Sequence, residues 1–139
     1  MSVDGKVVGE VGLGLAVLVG VSDLDSEADA VAVAGKLVGL RIFPDDEGKM
    51  NRSVAEAGGG VLVISQFTLL ADVRKGRRPS FVHAAAPAVA DPLVQRLAEA
   101  VSSEGIPVAT GEFGAHMEVD LVNDGPVTII LETEDGRIQ

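Results

Sequence analysis

The chain of 139 residues contains no cysteine, no tryptophan and no tyrosine, and only four phenylalanines. The absence of cysteine excludes disulfide bonds and thiolate metal ligands. Because aromatic rings are so few, the core must be filled by closely packed aliphatic side chains, in keeping with a hydrophobic content of 47%. A chain of this length is expected to form one domain, so residues 1–139 should share a single core.

Signals for export and for membrane insertion are also missing. The N-terminus lacks the basic and then apolar pattern of a secretory signal. No uninterrupted apolar run approaches the ~20 residues that are needed to cross a bilayer. These absences predict a cytoplasmic protein without a membrane segment.

Positive charge is scarce, with 11 Lys and Arg against 21 Asp and Glu and a net charge of −10. This balance argues against a protein that coats nucleic acid through bulk electrostatics, because phosphate contacts rely on Lys and Arg. The cations are clustered, however, and four of them surround Gly76: Arg74, Lys75, Arg77 and Arg78. This segment, the basic loop, is either a solvated turn or a local contact for nucleic acid.

Hydrophobic spacing predicts two helices. Ser26 and Asp29 resemble a capping box, and the apolar residues that follow at helical spacing predict a helix from about 27 to 40. For the second helix, Asp91 suits the N-cap, Pro92 the first helical position and Gly105 the C-terminal stop.

Apolar runs predict the strands. The run at 14–21 has strand length and indicates burial. The flexible glycines from Gly58 lead into a short buried strand that ends at Ser65, and Val108 begins another short strand. Asp4-Gly5 is a hairpin turn signal, although only three residues precede it and the first arm of this hairpin is missing or vestigial.

The last predicted hairpin runs from about 115 to 133 around Gly125-Pro126. Pro126 cannot donate to a strand ladder, and Gly125 tolerates backbone angles that are closed to other residues. The carbonyls of both residues can therefore point away from a neighbouring strand. Together the elements predict an α+β fold, with a mainly antiparallel sheet or an open β-barrel on which two helices pack.

The stretch "ISQFTLL" at 64–70 is the first candidate for chemistry. Ser65, Gln66 and Thr68 supply two hydroxyls and an amide where a buried strand ends. Together with backbone N–H groups, such side chains can bind the oxyanion that develops in ester hydrolysis. The alternative is that they only cap the strand end.

Other catalytic and cofactor patterns are weak. A nucleophilic hydroxyl needs a base beside it, but His83 and His116 are the only histidines and neither has a triad context. Two isolated histidines predict no metal site, and Asp45-Asp46 lacks the ligand spacing of a calcium loop. Because no nucleotide-binding glycine or lysine motif is present either, no cofactor is expected.

Taken together, three motifs resemble those of the D-aminoacyl-tRNA deacylases: "SQFTL" at 65–69, "RPSF" at 78–81 and "NDGPVT" at 123–128. The segments "VDGKVVGEVGLGLAVLVGV" at 3–21 and "RIFPDDEGKMN" at 41–51 support the resemblance. It implies a homodimeric esterase that removes D-amino acids, and also glycine, from the 3′ end of aminoacyl-tRNA.

The resemblance also implies roles for residues. Those framing the scissile ester would be Ser65, Gln66, Phe67 and Thr68. Gly125 and Pro126, joined by a cis bond, would enter the active site of the opposite subunit and leave no room for an L side chain. Arg74, Lys75, Arg77 and Arg78 would contact the tRNA. Since no base is evident beside Thr68, the 2′-hydroxyl of the terminal ribose is the favoured assistant in hydrolysis.

The chain departs from the family at its start. Family members begin earlier, with a strand that contains Gln-Arg-Val and places an arginine near the Gly-Pro turn. We expect that first strand to be missing here, through either a truncated gene model or a real variant with an unpaired sheet edge. Two further alternatives are a non-catalytic tRNA-binding or other nucleic-acid-binding relative, and an enzyme like the L-alanyl-tRNA deacylases with a trans Gly-Pro bond.

Overall fold

The structure, a computed structural model, describes all residues from Met1 to Gln139. It contains two α-helices, nine short strands and one 3-10 helix. In chain order the elements are β1 (Ser2–Val3), β2 (Lys6–Val7), β3 (Gly14–Val19), α1 (Glu27–Gly39), β4 (Phe43–Pro44), β5 (Met50–Arg52), β6 (Gly60–Ser65), the 3-10 helix (Phe67–Leu70), α2 (Pro87–Ser102), β7 (Val108–Thr110), β8 (Thr133–Glu134) and β9 (Arg137–Ile138).

The central sheet has the order β3-β6-β7, and all of its strands run parallel. β3 and β6 are paired from Gly14 opposite Gly60 to Val19 opposite Ser65, so the two strands end at the same edge. At the other end the backbones approach closely, because a Cβ on Gly14 would lie 1.9 Å from the Gly60 carbonyl oxygen. The register thus brings the "SQFTL" motif to the carboxyl edge of the sheet.

The α+β class with two helices is confirmed, and the sheets do not close into a barrel. The antiparallel expectation holds only for the three two-stranded ladders, β1-β2, β4-β5 and β8-β9. The central sheet is parallel because a helix lies between each pair of its consecutive strands in the chain. Such a crossover returns the chain to the same end of the sheet, whereas a short turn reverses it.

Strand β6 is buried on both faces. Val61 and Val63 belong to the larger core cluster, which includes residues of both helices, while Leu62 and Ile64 pack with Met1 in a smaller cluster. This alternation is the period of two that a strand imposes on its side chains. β6 is therefore the rigid element behind the candidate site.

Helix α1 matches its prediction closely, and the capping box between Ser26 and Asp29 is formed. Helix α2 begins earlier than expected, since Pro87 occupies the first turn and Pro92 lies inside the helix. The prediction of Asp91 as the N-cap is therefore wrong. Extending the helix buries Ala90 in the core, and this burial favours the earlier start although Pro92 removes one helical hydrogen bond.

The two predicted hairpins have different outcomes. Asp4 and Gly5 both have positive φ, as a two-residue hairpin turn requires, and each arm of this hairpin has two residues. The hairpin expected from about 115 to 133 is wrong, because residues 119–131 contain no strand. The C-terminal hairpin is instead β8-β9. Neither helix combines the length and apolar character that crossing a membrane requires.

Candidate active site

The residues Ser65–Thr68, which we call the strand-end site, begin at the last residue of the buried strand β6. The Gln66 N–H donates to the Val19 carbonyl at 2.7 Å, and this bond continues the parallel ladder for one residue. The chain then enters the 3-10 helix, where the Gln66 side-chain amide donates to the Thr68 hydroxyl. The amide and the hydroxyl are therefore held together at the edge of the sheet.

Phe67 links two of the sequence motifs. Its ring meets that of Phe81 edge to face, with centroids 5.0 Å apart and an angle of 69° between the planes. Phe67 is still 58% exposed, which is unusual for a large aromatic side chain in a protein with so few of them. The "SQFTL" and "RPSF" motifs thus form one surface.

A pocket of about 590 Å³ opens beside the strand-end site. Ser65, Gln66 and Phe67 line one part of it, and most of its other lining residues are apolar. The other lining residues come from the end of β3 and the residues just after it, from the end of β6, from the start of α2 and the residues just before it, and from residues 113–119: Val19, Val21, Ile64, Ala84, Ala85, Pro87, Ala90, Val94, Phe113, Gly114, Ala115, His116, Met117 and Val119. An apolar pocket with a few polar groups at one side is typical of a small-molecule site.

Sequence reasoning missed the other walls of this pocket. His116 lines it, although its isolated position in the sequence carried no signal for a site. The first turn of α2 was also missed, because that helix was expected to begin after Pro87. Local patterns could not have shown either feature, since both residues reach the pocket only through the packing of distant segments.

Three of the four predicted ester-framing residues line the pocket, whereas Thr68 reaches its edge only through the hydrogen bond from Gln66. No histidine or carboxylate forms a hydrogen bond with the Thr68 hydroxyl. No three His, Asp or Glu side chains come together in an arrangement that could hold a metal ion.

The basic loop is closed at its base by two backbone hydrogen bonds between Asp72 and Ser80, of 2.8 and 2.9 Å. Arg74 forms a bidentate ion pair with Asp72, at 2.7 and 2.9 Å, and the hydrogen bond from Arg74 is the main cause that lowers the pKa of the Asp72 carboxyl. Arg77 and Arg78 are exposed and form no ion pair. Positive charge is therefore available at the tip of the loop.

Residues 119–131, which we call the Gly-Pro loop, carry the remaining predicted residues. The Gly125-Pro126 peptide bond is cis, and both residues are exposed. They do not line the pocket of their own chain. The loop also exposes apolar side chains, and Val122 and Ile130 are 91% and 83% exposed.

The fold is that of an α+β protein with two helices and a parallel central sheet. At the carboxyl edge of this sheet lies an apolar pocket that has the Ser65 hydroxyl and the Gln66 amide at one side. Comparison with known proteins identifies the family. The family described as D-Tyr-tRNA(Tyr) deacylase matches residues 1–132, and the chain belongs to this family. The resemblance read from the motifs is confirmed.

Curated relatives agree with this assignment. A D-aminoacyl-tRNA deacylase of Symbiobacterium thermophilum is 57% identical over 134 residues, which cover 96% of this chain and 89% of the relative. Another, of Thermomicrobium roseum, is 56% identical over 137 residues and covers 99% of this chain and 89% of its own. Removing an amino acid from tRNA breaks an ester bond, so the expectation of an ester hydrolase is confirmed.

Two solved structures are similar. The first, named c-Myc DNA Unwinding Element Binding Protein, has a TM-score of 0.88 and 34% identity, and the match covers 96% of this chain and 91% of that one. The second, a probable eukaryotic D-amino acid tRNA deacylase, has a TM-score of 0.62 at 24% identity and covers 76% of this chain and 77% of its own. The second likeness concerns the fold alone.

Proposed function

We propose that this protein hydrolyses the ester bond of D-aminoacyl-tRNA and of mischarged glycyl-tRNA, releasing free tRNA and the amino acid. The observation that carries the proposal is the family match over residues 1–132, together with a pocket that has Ser65 and Gln66 at its edge. The substrate places the reaction in the cytoplasm, where tRNA is charged and used. No cofactor is required by this chemistry.

The strand-end site supplies the groups that ester hydrolysis needs. The first N–H groups of a helix have no partner within it, and those of Phe67 and Thr68 begin the 3-10 helix at the end of β6. Preorganised N–H groups of this kind stabilise the oxyanion of an ester transition state. The Gln66 amide orients the substrate beside them.

In this proposal Thr68 holds the Gln66 side chain in place and is not the nucleophile. A nucleophilic hydroxyl is activated by a base within hydrogen-bond reach, whereas the Thr68 hydroxyl accepts a hydrogen bond from the Gln66 amide. The 2′-hydroxyl of the terminal ribose lies next to the ester in the substrate itself. It is the group that assists hydrolysis, and the protein orients it.

Handedness is judged by Gly125 and Pro126 of a second copy of the chain. Gly125 and Pro126 are exposed and do not line the pocket of their own chain, and the Gly-Pro loop carries apolar side chains into solvent. Its apolar residues are the kind of surface that a homodimer covers. A proline with fixed φ then forms a stiff wall, which rejects an L side chain by steric clash and leaves a D side chain pointing outward.

The basic loop contacts the phosphates of tRNA. Arg74 is engaged with Asp72 and shapes the loop, whereas Lys75, Arg77 and Arg78 have no acidic partner. Replacing Arg77 and Arg78 with serine should weaken tRNA binding and reduce the slope of log K against log salt by ~0.7 for each lost single-strand contact. A slope equal to that of the wild type would show that the loop does not touch the tRNA.

Deacylation of D-Tyr-tRNA and L-Tyr-tRNA by the purified protein tests the proposal as a whole. We expect release of D-tyrosine and protection of the L-ester, with glycyl-tRNA also cleaved. Equal rates on both enantiomers would refute chiral selection, and no release from any of the three would refute the enzymatic function.

A second candidate function is non-catalytic nucleic-acid binding. It is favoured by the similarity to the structure named c-Myc DNA Unwinding Element Binding Protein, at 34% identity. The net charge of −10 argues against it, because the basic loop holds only four of the 11 Lys and Arg and is the one place in the sequence where they cluster. Tight binding of duplex DNA by a protein that fails the deacylation assay would favour this candidate instead.

A further inference from the structure

The Gly-Pro loop is held by one side chain. The Asn123 side-chain oxygen accepts a hydrogen bond from the Val127 N–H at 2.9 Å, and its amide nitrogen donates to the Thr128 hydroxyl at 3.1 Å. These two bonds span the Gly125-Pro126 pair from both sides. We call the Asn123 and Thr128 side chains together the loop clamp.

Within the chain, no other hydrogen bond holds this loop. Residues 119–131 make no backbone-to-backbone hydrogen bond at all, and the two bonds of the loop clamp are the only side-chain bonds within them. Elsewhere in the chain, a turn of this kind is closed by a strand ladder, as at Asp4-Gly5. Here an asparagine side chain takes the place of the missing backbone partner, as asparagine commonly does in turns.

The turn is also tight. A Cβ on Gly125 would lie 2.8 Å from a methyl carbon of Val127 and 3.0 Å from its backbone nitrogen. Moving Val127 therefore moves the atoms that face Gly125. The Val127 N–H is the group that Asn123 holds, so the loop clamp controls how the carbonyls of Gly125 and Pro126 are presented.

We propose that Asn123 and Thr128 are positioning residues for chiral selection. This inference rests on the proposed function, in which Gly125 and Pro126 exclude L substrates by steric clash. Exclusion by steric clash requires a rigid backbone at Gly125 and Pro126. An exposed loop without backbone hydrogen bonds is flexible unless side-chain contacts hold it in one conformation. The loop clamp holds it, and its two residues act on the substrate through Gly125 and Pro126.

Two variants and two controls test the inference in the full-length protein. Asn123→Ala removes both hydrogen bonds, and Thr128→Val removes one of them at nearly constant shape. Thr128→Ser keeps the hydroxyl and should restore the wild-type behaviour. Asp124→Asn is the matched control, because Asp124 lies in the same loop and makes no hydrogen bond of its own.

The first readout is the ratio of kcat/KM for D-Tyr-tRNA to that for L-Tyr-tRNA. Asn123→Ala should lower the ratio about tenfold, Thr128→Val less, and the two controls should stay within about twofold of the wild type. The melting temperature should hardly change, because all these residues are exposed. If kcat/KM falls by the same factor for both enantiomers, or the ratio is unchanged in Asn123→Ala, the inference is overturned.

The second readout does not depend on activity. Exchange of the Val127 amide proton, followed by NMR, should be faster in Asn123→Ala than in the wild type and unchanged in Asp124→Asn. Unchanged exchange in Asn123→Ala would show that the loop clamp does not exist. A wild type with a slow Val127 amide and no deacylation of any substrate would instead refute the proposed function, and the role in chiral selection with it.

Discussion

The strand-end site and the Gly-Pro loop obtain their shapes in opposite ways. Ser65–Thr68 lie at the end of a strand whose residues Val63 and Ile64 are 1% and 2% exposed, so the core fixes the backbone at the site. The Gly-Pro loop has no backbone pairing and relies on the two hydrogen bonds of Asn123. The first region is complete within one chain, whereas the second presents an apolar surface that a further molecule can cover.

The largest expected effect compares two isoleucines. Ile64→Ala, behind the strand-end site, should lower the free energy of unfolding by about 2–5 kcal/mol, because it leaves a cavity in the core. Ile130→Ala is the matched change in the Gly-Pro loop, at a residue that is 83% exposed. Its effect should stay within about 0.5 kcal/mol in dilute protein, as for other surface substitutions.

Urea unfolding at several protein concentrations measures both variants. If a second copy covers the loop, the Ile130→Ala variant should lose stability relative to the wild type only as the concentration rises. If Ile64→Ala and Ile130→Ala lower the free energy of unfolding equally in dilute protein, the two regions do not differ in how their shapes are held. The absence of any concentration dependence, with a monomer in sedimentation, would contradict the homodimer.

The next effect concerns the β8-β9 hairpin, which follows the Gly-Pro loop in the chain and is held to α1 by Asp29. The Asp29 side chain, 5% exposed, accepts N–H groups of Ser26 and Gly136 at 2.9 Å each and so ties the β8-β9 hairpin to α1. Asp29→Ala leaves both N–H groups without this partner and should lower the free energy of unfolding by about 1–3 kcal/mol. Asp29→Asn keeps an oxygen acceptor and should lose less.

Asp29 also predicts a pH dependence. The hydrogen bond from the Ser26 N–H, followed by that from Gly136, lowers the pKa of the Asp29 carboxyl, although burial opposes this shift. Because the folded pKa lies below the unfolded value of about 3.9, the stabilisation is present above that value and is lost as the pH falls through the folded pKa. Urea unfolding measures the free energy of unfolding of the wild type and of Asp29→Asn at neutral pH and below pH ~4. The wild type should be the more stable protein at neutral pH and should lose this difference at the lower pH. A difference that does not change with pH would contradict the prediction.

The smallest effect is expected for Thr68→Val in the strand-end site. If main-chain N–H groups and the tRNA 2′-hydroxyl carry the reaction, kcat on D-Tyr-tRNA should fall by less than about tenfold, since only a positioning hydrogen bond is lost. A fall of about a thousandfold or more would identify Thr68 as the nucleophile. A substrate that ends in a 2′-deoxyribose is the complementary control and should be cleaved poorly by the wild type.

Prediction from sequence succeeded where the pattern was local. The capping box at Ser26 and Asp29, the apolar spacing of α1 and the strand that ends at Ser65 all depend on neighbours in the chain, and the structure contains them. The start of α2 was placed too late, because Asp91-Pro92 is also a good local start signal. Burial of Ala90, a tertiary contact, decided in favour of Pro87.

The pocket shows the same limit. The "SQFTL" motif marked one side of it, and Ser65, Gln66 and Phe67 line it as a continuous stretch. His116 and the first turn of α2 complete it from segments that lie far away in the chain. Without that packing, an isolated histidine in an irregular segment carries no indication of a site.

The sequence by itself determined the aliphatic core, helix α1, the buried strands and the motifs of the family, because each depends on residue types at short spacing. Only the tertiary structure decided that the central strands run parallel, that His116 lines the pocket beside the strand-end site and that residues 119–131 form no strand. These features depend on which distant segments meet, and that choice is made by the burial of apolar surface across the whole chain rather than by any local pattern.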